Sequence, residues 1–522
     1  MELRYKIIIF LSVMILCGCT NLNAKFDTSQ PISQYMSITE KDETSEEIGL
    51  SINGYYLTLY PNKDETWIEP MSMAADAPNY FKFNAFSGYT IKVNGQEVES
   101  DGTIEVKIDG SDGLKKSVGI PIEFCNIKTE EVTRQYVRCL NQGFPEIITV
   151  NNGADDGYYY FEPTLDWIAK MSTDSEIMYY KYCEDNLYDF RPFETESGEL
   201  YYGYRTPYAN EDQRLLVVSS SLTECKQVIM DSNYQVIKEI YGTLDDFGKF
   251  TNTALDSHEF LLFDKDHYIT LSYVPTYVYN IPQEFKSRGQ FPSRVMSALI
   301  QEVKDEKVIF EWRSTDYPEL YGMSVEGNKY DFSEGDWCDY IHVNSIDICP
   351  NDNNLVISMR NTDSIVEINR RTGNIEWVLG GKMDMFGLTE NQKTARQHFA
   401  RFTEDGTLTV FDNSTNYMVT EKSEYVGNGT GYPRIVEYQL DERELELGDF
   451  NTYEYKIPQS EIMGSATKLS NDGFIVGWGG GSIKVPCKML FSEIDFDNQK
   501  VLFEATNKTG SNMTYRVYKY QR

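Results

Sequence analysis

The sequence predicts an all-β protein, a six-bladed β-propeller preceded by a small N-terminal β-sandwich, and three observations carry that reading. Short runs of Val, Ile, Thr and aromatic residues alternate with Asn, Asp and Gly turns, the pattern of half-buried strands. The 522-residue chain holds 38 Tyr and 27 Phe, and long helical periodicity is nearly absent. From about residue 140 a loose unit recurs: a strand, a polar hairpin turn, a second strand and an outer segment. Ring closure of such units removes exposed sheet edges.

The elements follow in order. Residues 1–19, MELRYKIIIFLSVMILCGC, give a basic start, an apolar run too short to trust as a spanning helix, and an LCGC ending that looks like a bacterial lipobox. They are read as a lipoprotein signal, with Cys19 as the lipidated first residue of an exported protein. That protein would be anchored on the outer face of the cell membrane, or on the periplasmic side in a Gram-negative cell. Cleavage by ordinary signal peptidase is the alternative, and it also exports the chain. Residues 20–49, acidic and polar, read as a solvated tether. Residues 50–130 contain YYLTLYP, YTIKVNGQEV and GTIEVKIDG, which suggest the sandwich. Residues 131–522 are assigned to the propeller. Its six units start near DWIAKMS, RLLVVSS, SHEFLLF, HVNSIDI, HFARFTE and GSATKLS. The last strand, in TYRVYKYQR, can complete an early blade. Helical exceptions are expected at 292–306 and 390–397.

Charge and cysteine content exclude several classes. The net charge is −33, and removing residues 1–18, which carry net +1, leaves −34. Such an excess argues against nucleic acid and against binding anionic lipid through a basic face. An anionic substrate would approach against a repelling field, so its site needs local cations. Beyond Cys17 and Cys19 there are seven cysteines and no CxxC pair. No disulfide framework and no zinc site are proposed from them, and buried free thiols are the default.

Only four histidines occur, and three of them open the first strand of consecutive units. His258 precedes EFLLF, His342 precedes VNSIDI and His398 precedes FARF. Equivalent positions in successive blades share one rim of the ring, so the imidazoles should converge. His267, inside DKDHYIT, reads as structural. Folding the fourth unit about Asn351 and Asp352 returns Arg360 beside His342. Folding the fifth about Asp405 and Gly406 returns Asp412 and Asn413 beside His398. Three histidines could bind zinc with an open position. The arginine beside them favours an anionic group such as sulfate or phosphate.

These residues lie in LDSHEF, in DWCDYIHVNSIDICPNDNNLVISMRNTDSIVEINRRTGNIEWVLGG and in RQHFARFTEDGTLTVFDNS, with YPRIVEYQLD and GFIVGWGGGS after them. Together, over residues 250–480, the stretches resemble the bacterial aryl-sulfate sulfotransferases that work without a nucleotide sulfate donor. The resemblance implies transfer of a sulfuryl group from a phenolic sulfate ester to a phenolic acceptor. It casts His398 as the nucleophile that becomes sulfated, in a ping-pong cycle through a sulfohistidine. His258, His342 and Arg360 would hold sulfuryl oxygens or move protons, with Asn344, Asp412 and Asn413 in support. It implies no cofactor and no metal. The chain departs from periplasmic relatives in having no cysteine between Cys349 and Cys487. A site threonine of some relatives falls near SEIMGSAT, where it cannot be aligned.

The chemistry suits these residue types. Phenolate is a tolerable leaving group, since a phenol has a pKa of about 10. Imidazole is a competent nucleophile, and a covalent intermediate splits one transfer into two easier steps. No G-x-x-x-x-G-K-[ST] loop exists for a nucleotide donor, and the Cys-x-Pro-x-Arg pattern of formylglycine sulfatases is absent. The rival readings are a non-catalytic surface propeller lipoprotein that binds glycan or protein, and a metal-dependent hydrolase using the same three histidines. Homo-oligomers stay open, as do the natural donor and acceptor.

Overall fold

The computed structural model describes residues 47–522, except positions 65, 74–77, 109–117, 142, 196, 209–221, 252, 286–291, 327–329, 331–336, 416–431, 455–459, 482–488, 509–512 and 521–522. The lipobox and Cys19, and the tether up to residue 46, lie outside the described residues.

The chain is almost all β. Two sheets come first. One orders the strands Tyr55–Leu59, Ile48–Ile52, Pro78–Phe83 and Thr103–Lys107; the other holds Tyr89–Val93, Gln96–Val98, Val118–Asn126, Val132–Asn141 and Thr66–Met73. Pro78–Phe83 alternates exposed and buried, so Phe81 and Phe83 fall on one face, as a period of two requires. They meet Ile91, Ile122, Phe124 and Val137 of the other sheet in a shared core. The second sheet runs to Asn141, past the boundary expected at 130.

Among the described residues, six four- or five-stranded antiparallel sheets follow. Their first strands are consecutive neighbours. Tyr188–Glu194 meets Phe260–Asp264, which meets Val343–Ile348, then Phe399–Phe402, then Ser465–Lys468. That strand meets Val517–Tyr520, which returns to Tyr188–Glu194. The two ends of this region interlock. Val517–Tyr520 pairs with Tyr158–Phe161, so the last strand does complete an early sheet. Ile147–Asn151 pairs with Phe503–Asn507 of the last sheet.

The hairpins follow the turn chemistry. In the fourth sheet Asn353 adopts φ 64° and the Asp352 carboxylate accepts the Asn354 N–H at 2.9 Å, the local bonding that lets Asx residues replace backbone partners. In the fifth, Gly406 at φ 82° closes the turn, with its N–H donating to Thr403 at 3.0 Å.

Both expected helices are absent. Residues 293–304 form a strand, Ser293–Lys304, central in its sheet and buried at nearly every position. A strand buried on both faces shows a continuous apolar run, which periodicity alone does not separate from a helix. Residues 390–397 form turns anchored by Gln392 N–H donating to Thr389.

Candidate functional site

The hairpin registers bring the three histidines together. His342 immediately precedes Val343–Ile348, and the Arg360 N–H donates to the His342 carbonyl at 2.9 Å. His398 precedes Phe399–Phe402, and its N–H donates to the Phe411 carbonyl at 3.0 Å. The imidazole centroids of His258 and His342 are 4.8 Å apart, and those of His258 and His398 are 5.9 Å apart. All three side chains are buried. His267 stands apart, bonded through Nε2 to Glu302 at 2.7 Å.

What each Nδ1 touches separates the three. His258 Nδ1 lies 2.6 Å from the Asp256 carboxylate, and His342 Nδ1 lies 2.5 Å from Asp339. Both aspartates fix ring orientation and direct Nε2 outward. His398 Nδ1 instead lies 2.8 Å from the Gly464 carbonyl oxygen. A carbonyl only accepts, so Nδ1 carries the proton and Nε2 holds the lone pair. Burial pushes His398 well below the ordinary imidazole value, and Arg516 and His258 add to it. Burial also lowers His258, although Asp256 opposes part of the shift. Neutral, nucleophilic imidazole is therefore favoured at His398.

Arg360 directs Nη1 to Glu326 at 3.1 Å and to the Asn361 side chain at 2.7 Å. Both bonds leave from Nη1, so Nε and Nη2 have no protein partner among the described residues. Glu326 also accepts from Arg396 Nε at 2.8 Å, which joins the Arg360 turn to the segment that carries His398. Burial would raise Glu326, but Arg360 and Arg396 overcome it and hold it below the usual range.

The supporting residues act on backbone. Asn344 donates to the Gln397 carbonyl at 2.8 Å, next to His398. Asn413 donates to the carbonyls of Ser460 at 3.0 Å and Met463 at 2.9 Å, beside Gly464. The side-chain carbonyl oxygens of both are buried without a protein partner, which is unusual for a folded chain. Asp412 is turned to its own loop, where it accepts from Ala395 N–H, Ser414 N–H and Arg434 Nε, at 2.9, 2.9 and 2.8 Å.

Several neighbours escaped the sequence reading. The C-terminal strand brings Tyr515, whose ring lies 5.5 Å from His398 and 6.2 Å from His258. It also brings Arg516, fully buried, which donates to the Asn344 carbonyl at 2.7 Å and bridges Asp189 and Glu259 at 3.2 Å each. Asp189 further accepts from Arg205 at 2.8 Å and Tyr518 at 2.5 Å, and Glu259 from Arg191 at 2.8 Å and Arg401 at 2.5 Å. Four arginines thus share two carboxylates next to the histidines. Burial would raise Glu259, but Arg401, Arg516 and Arg191 hold it at about 2. The placing of TYRVYKYQR on an early sheet was the one signal that could have found Arg516, because it sends that strand to the inner edge.

No curated protein matches the chain. Among solved structures it is similar to a protein of unknown function from Bacteroides caccae, at 12% identity over 70% of this chain and 100% of that one, with a TM-score of 0.41. An auxiliary nutrient binding protein from Bacteroides thetaiotaomicron matches at 10% identity over 86% of each chain, with a TM-score of 0.32. The profile of the arylsulfotransferase (ASST) family matches residues 209–519. All three clustered histidines and Arg360 fall within that span, which exceeds half of the molecule, and the chain belongs to the arylsulfotransferase family.

Proposed function

We propose that the protein moves a sulfuryl group from a phenolic sulfate ester to a phenolic acceptor through a sulfohistidine on His398. In this reading the six sheets are the blades of a closed propeller, supported by the cycle of contacts among their first strands. The histidines then stand at the mouth of its central channel.

One observation carries the mechanism: two imidazoles are backed by carboxylates and the third by a carbonyl. A carboxylate stabilises imidazolium and suits an acid or base. A carbonyl fixes the tautomer without adding charge and suits a nucleophile. The His398 Nε2 lone pair forms the N–S bond while the S–O bond to the aryl group breaks. The phenolate leaves with that electron pair and takes a proton from a neighbouring imidazole. In the second step the acceptor phenol returns a proton to that imidazole and attacks sulfur, and the S–N electrons go back to His398. Charge spreads over the sulfuryl oxygens in a loose transition state, by analogy with phosphoryl transfer. The uncommitted edge of Arg360 suits those oxygens. The zinc hydrolase reading is weakened because the three imidazoles are not among the groups of described residues whose ligand atoms all lie within 4.8 Å of one another.

Mixing the protein with a nitrophenyl sulfate alone should release one nitrophenol per chain. It should also add one sulfuryl mass to the peptide bearing His398. His398→Ala should retain its fold and lose both. A burst that persists in that variant would refute the assignment. Export and lipid anchoring at Cys19 rest on the MELRYKIIIFLSVMILCGC start. Radiolabelled palmitate incorporation, lost in Cys19→Ala, is the expected result.

A further inference from the structure

A second convergence of ligating groups lies at the other end of the strand that His342 opens. Cys349 follows Val343–Ile348 directly, about 20 Å along the strand from the histidine. Its Sγ, a carboxylate oxygen of Asp352 and one of Glu367 all lie within 4.8 Å of one another. Cys349 and Glu367 are buried, at 0% and 2% exposure, while Asp352 faces solvent. Two donors are thus fixed inside and one stands at a route in from water. A fourth group comes from the next sheet: the Glu442 oxygens lie 3.6 and 3.7 Å from Cys349 Sγ.

An independent observation points to a missing positive charge. Oε1 of Glu367 is buried and has no hydrogen-bond partner among the described residues, whereas buried polar atoms are almost always paired. Arg370, three residues from Glu367, is engaged with Glu302 at 2.7 Å, and Arg443, next to Glu442, pairs with Glu444 at 3.6 Å. The Cys349 thiol donates to Glu442 at 3.6 Å, and Glu442 also accepts from Asn351 at 2.9 Å, which leaves the Glu367 oxygen as the group without a partner. A divalent cation engages all four groups.

We propose that Cys349, Asp352 and Glu367, with Glu442, bind one divalent cation of borderline softness, with Zn²⁺ as the type case, and that the ion staples the fourth sheet to the fifth. Thiolate with carboxylate is a donor set that zinc accepts, in tetrahedral geometry. Zinc–ligand bonds of about 2.0–2.3 Å require these donors to close by roughly 1 Å, a change that one exposed turn residue and one half-buried side chain can supply. The S–Zn bond forms as Cys349 releases its proton to solvent.

The test titrates the full chain with Co²⁺, reading thiolate-to-metal charge-transfer absorption, and with Zn²⁺ by calorimetry. One Zn²⁺ per chain is expected, together with a Co²⁺ charge-transfer band that vanishes in Cys349→Ser. Asp352→Asn alters an exposed side chain and leaves the core intact. It should weaken Zn²⁺ at least tenfold and abolish the rise in Tm that Zn²⁺ gives the wild type, with sulfuryl transfer unchanged. The absence of the band in the wild type would overturn the site. So would Zn²⁺ affinity that is the same in both variants as in the wild type, since that places the ion elsewhere, for example on the imidazoles.

Discussion

His398 draws its character from a single acceptor, the Gly464 carbonyl. Gly464 sits at φ +96°, and an added Cβ would lie 2.3 Å from the Phe411 ring. Gly464→Ala should therefore move the carbonyl and let the imidazole rotate. A misplacement near 1 Å costs about 100-fold in rate, so kcat should fall by roughly that factor with donor KM changed far less. A variant with lower Tm but normal kcat would show that the carbonyl does not orient the nucleophile. A pH profile tests the same residue. In the proposed mechanism the reactive form is deprotonated, and burial with Arg516 holds the His398 value well below 6.5. With a nitrophenyl sulfate, whose leaving group needs no proton, kcat/KM should stay flat from pH 8 through 6.5 and fall only below it. An acid limb centred at or above 6.5 would contradict a neutral, desolvated His398. The linkage runs the same way for stability. Below 6.5 the unfolded imidazoles take up protons that folded His398 and His258 resist, so the urea midpoint should drop as pH falls from there. The three histidines were legible because they repeat at one position of consecutive units. Asp256 and Asp339 were not, since they precede their histidines by two and three residues and no common spacing marks them. Asp412 was placed correctly by hairpin register, but register gives the Cα position and not the side-chain direction.

At the level of elements, the C-terminal strand Val517–Tyr520 joins the first sheet and delivers Arg516 to the cluster. Val517 N–H donates to Ser465 Oγ at 3.0 Å, so the same strand also ties the first sheet to the last. Arg516 bridges two fully buried carboxylates, and removing one partner of a buried ionic network typically costs about 3–5 kcal/mol. Arg516→Gln should lower the thermal midpoint sharply and shift the His398 acid limb upward, because a cation that disfavours imidazolium is gone. A loss below about 1 kcal/mol, with the limb unmoved, would mean that Arg205, Arg191 and Arg401 neutralise Asp189 and Glu259 without it. This strand also shows what a repeat pattern reveals and hides. The third to sixth units were readable because each needs its own polar turn, whereas the expected start at RLLVVSS lies outside the described residues and the second sheet opens earlier, at Tyr188–Glu194. Arg516 immediately precedes a strand that closes on residues more than 350 positions earlier, a distance over which local pattern carries no information. Ser293–Lys304 was misread for the opposite reason, since burial on both faces erased the alternation that marks a strand.

For the whole molecule, the decisive quantity is the sign of the charge at long and short range. The net charge is −33, and next to the histidines four arginines share two carboxylates. Beside the histidines Arg360 keeps an uncommitted edge, so an aryl sulfate anion is repelled at a distance and meets a cation on arrival. Salt screens these two effects unequally: the Debye length shortens from about 30 Å at 0.01 M to about 8 Å at 0.15 M, and buried charges are screened much less. Raising ionic strength over that range should increase kcat/KM for the anionic donor several-fold. Values for a neutral phenol acceptor should barely move. The comparison uses one enzyme preparation, with donor and acceptor varied separately. A donor kcat/KM that falls with salt would mean that the local cations dominate even at long range. The acidic surface would then have no part in limiting capture.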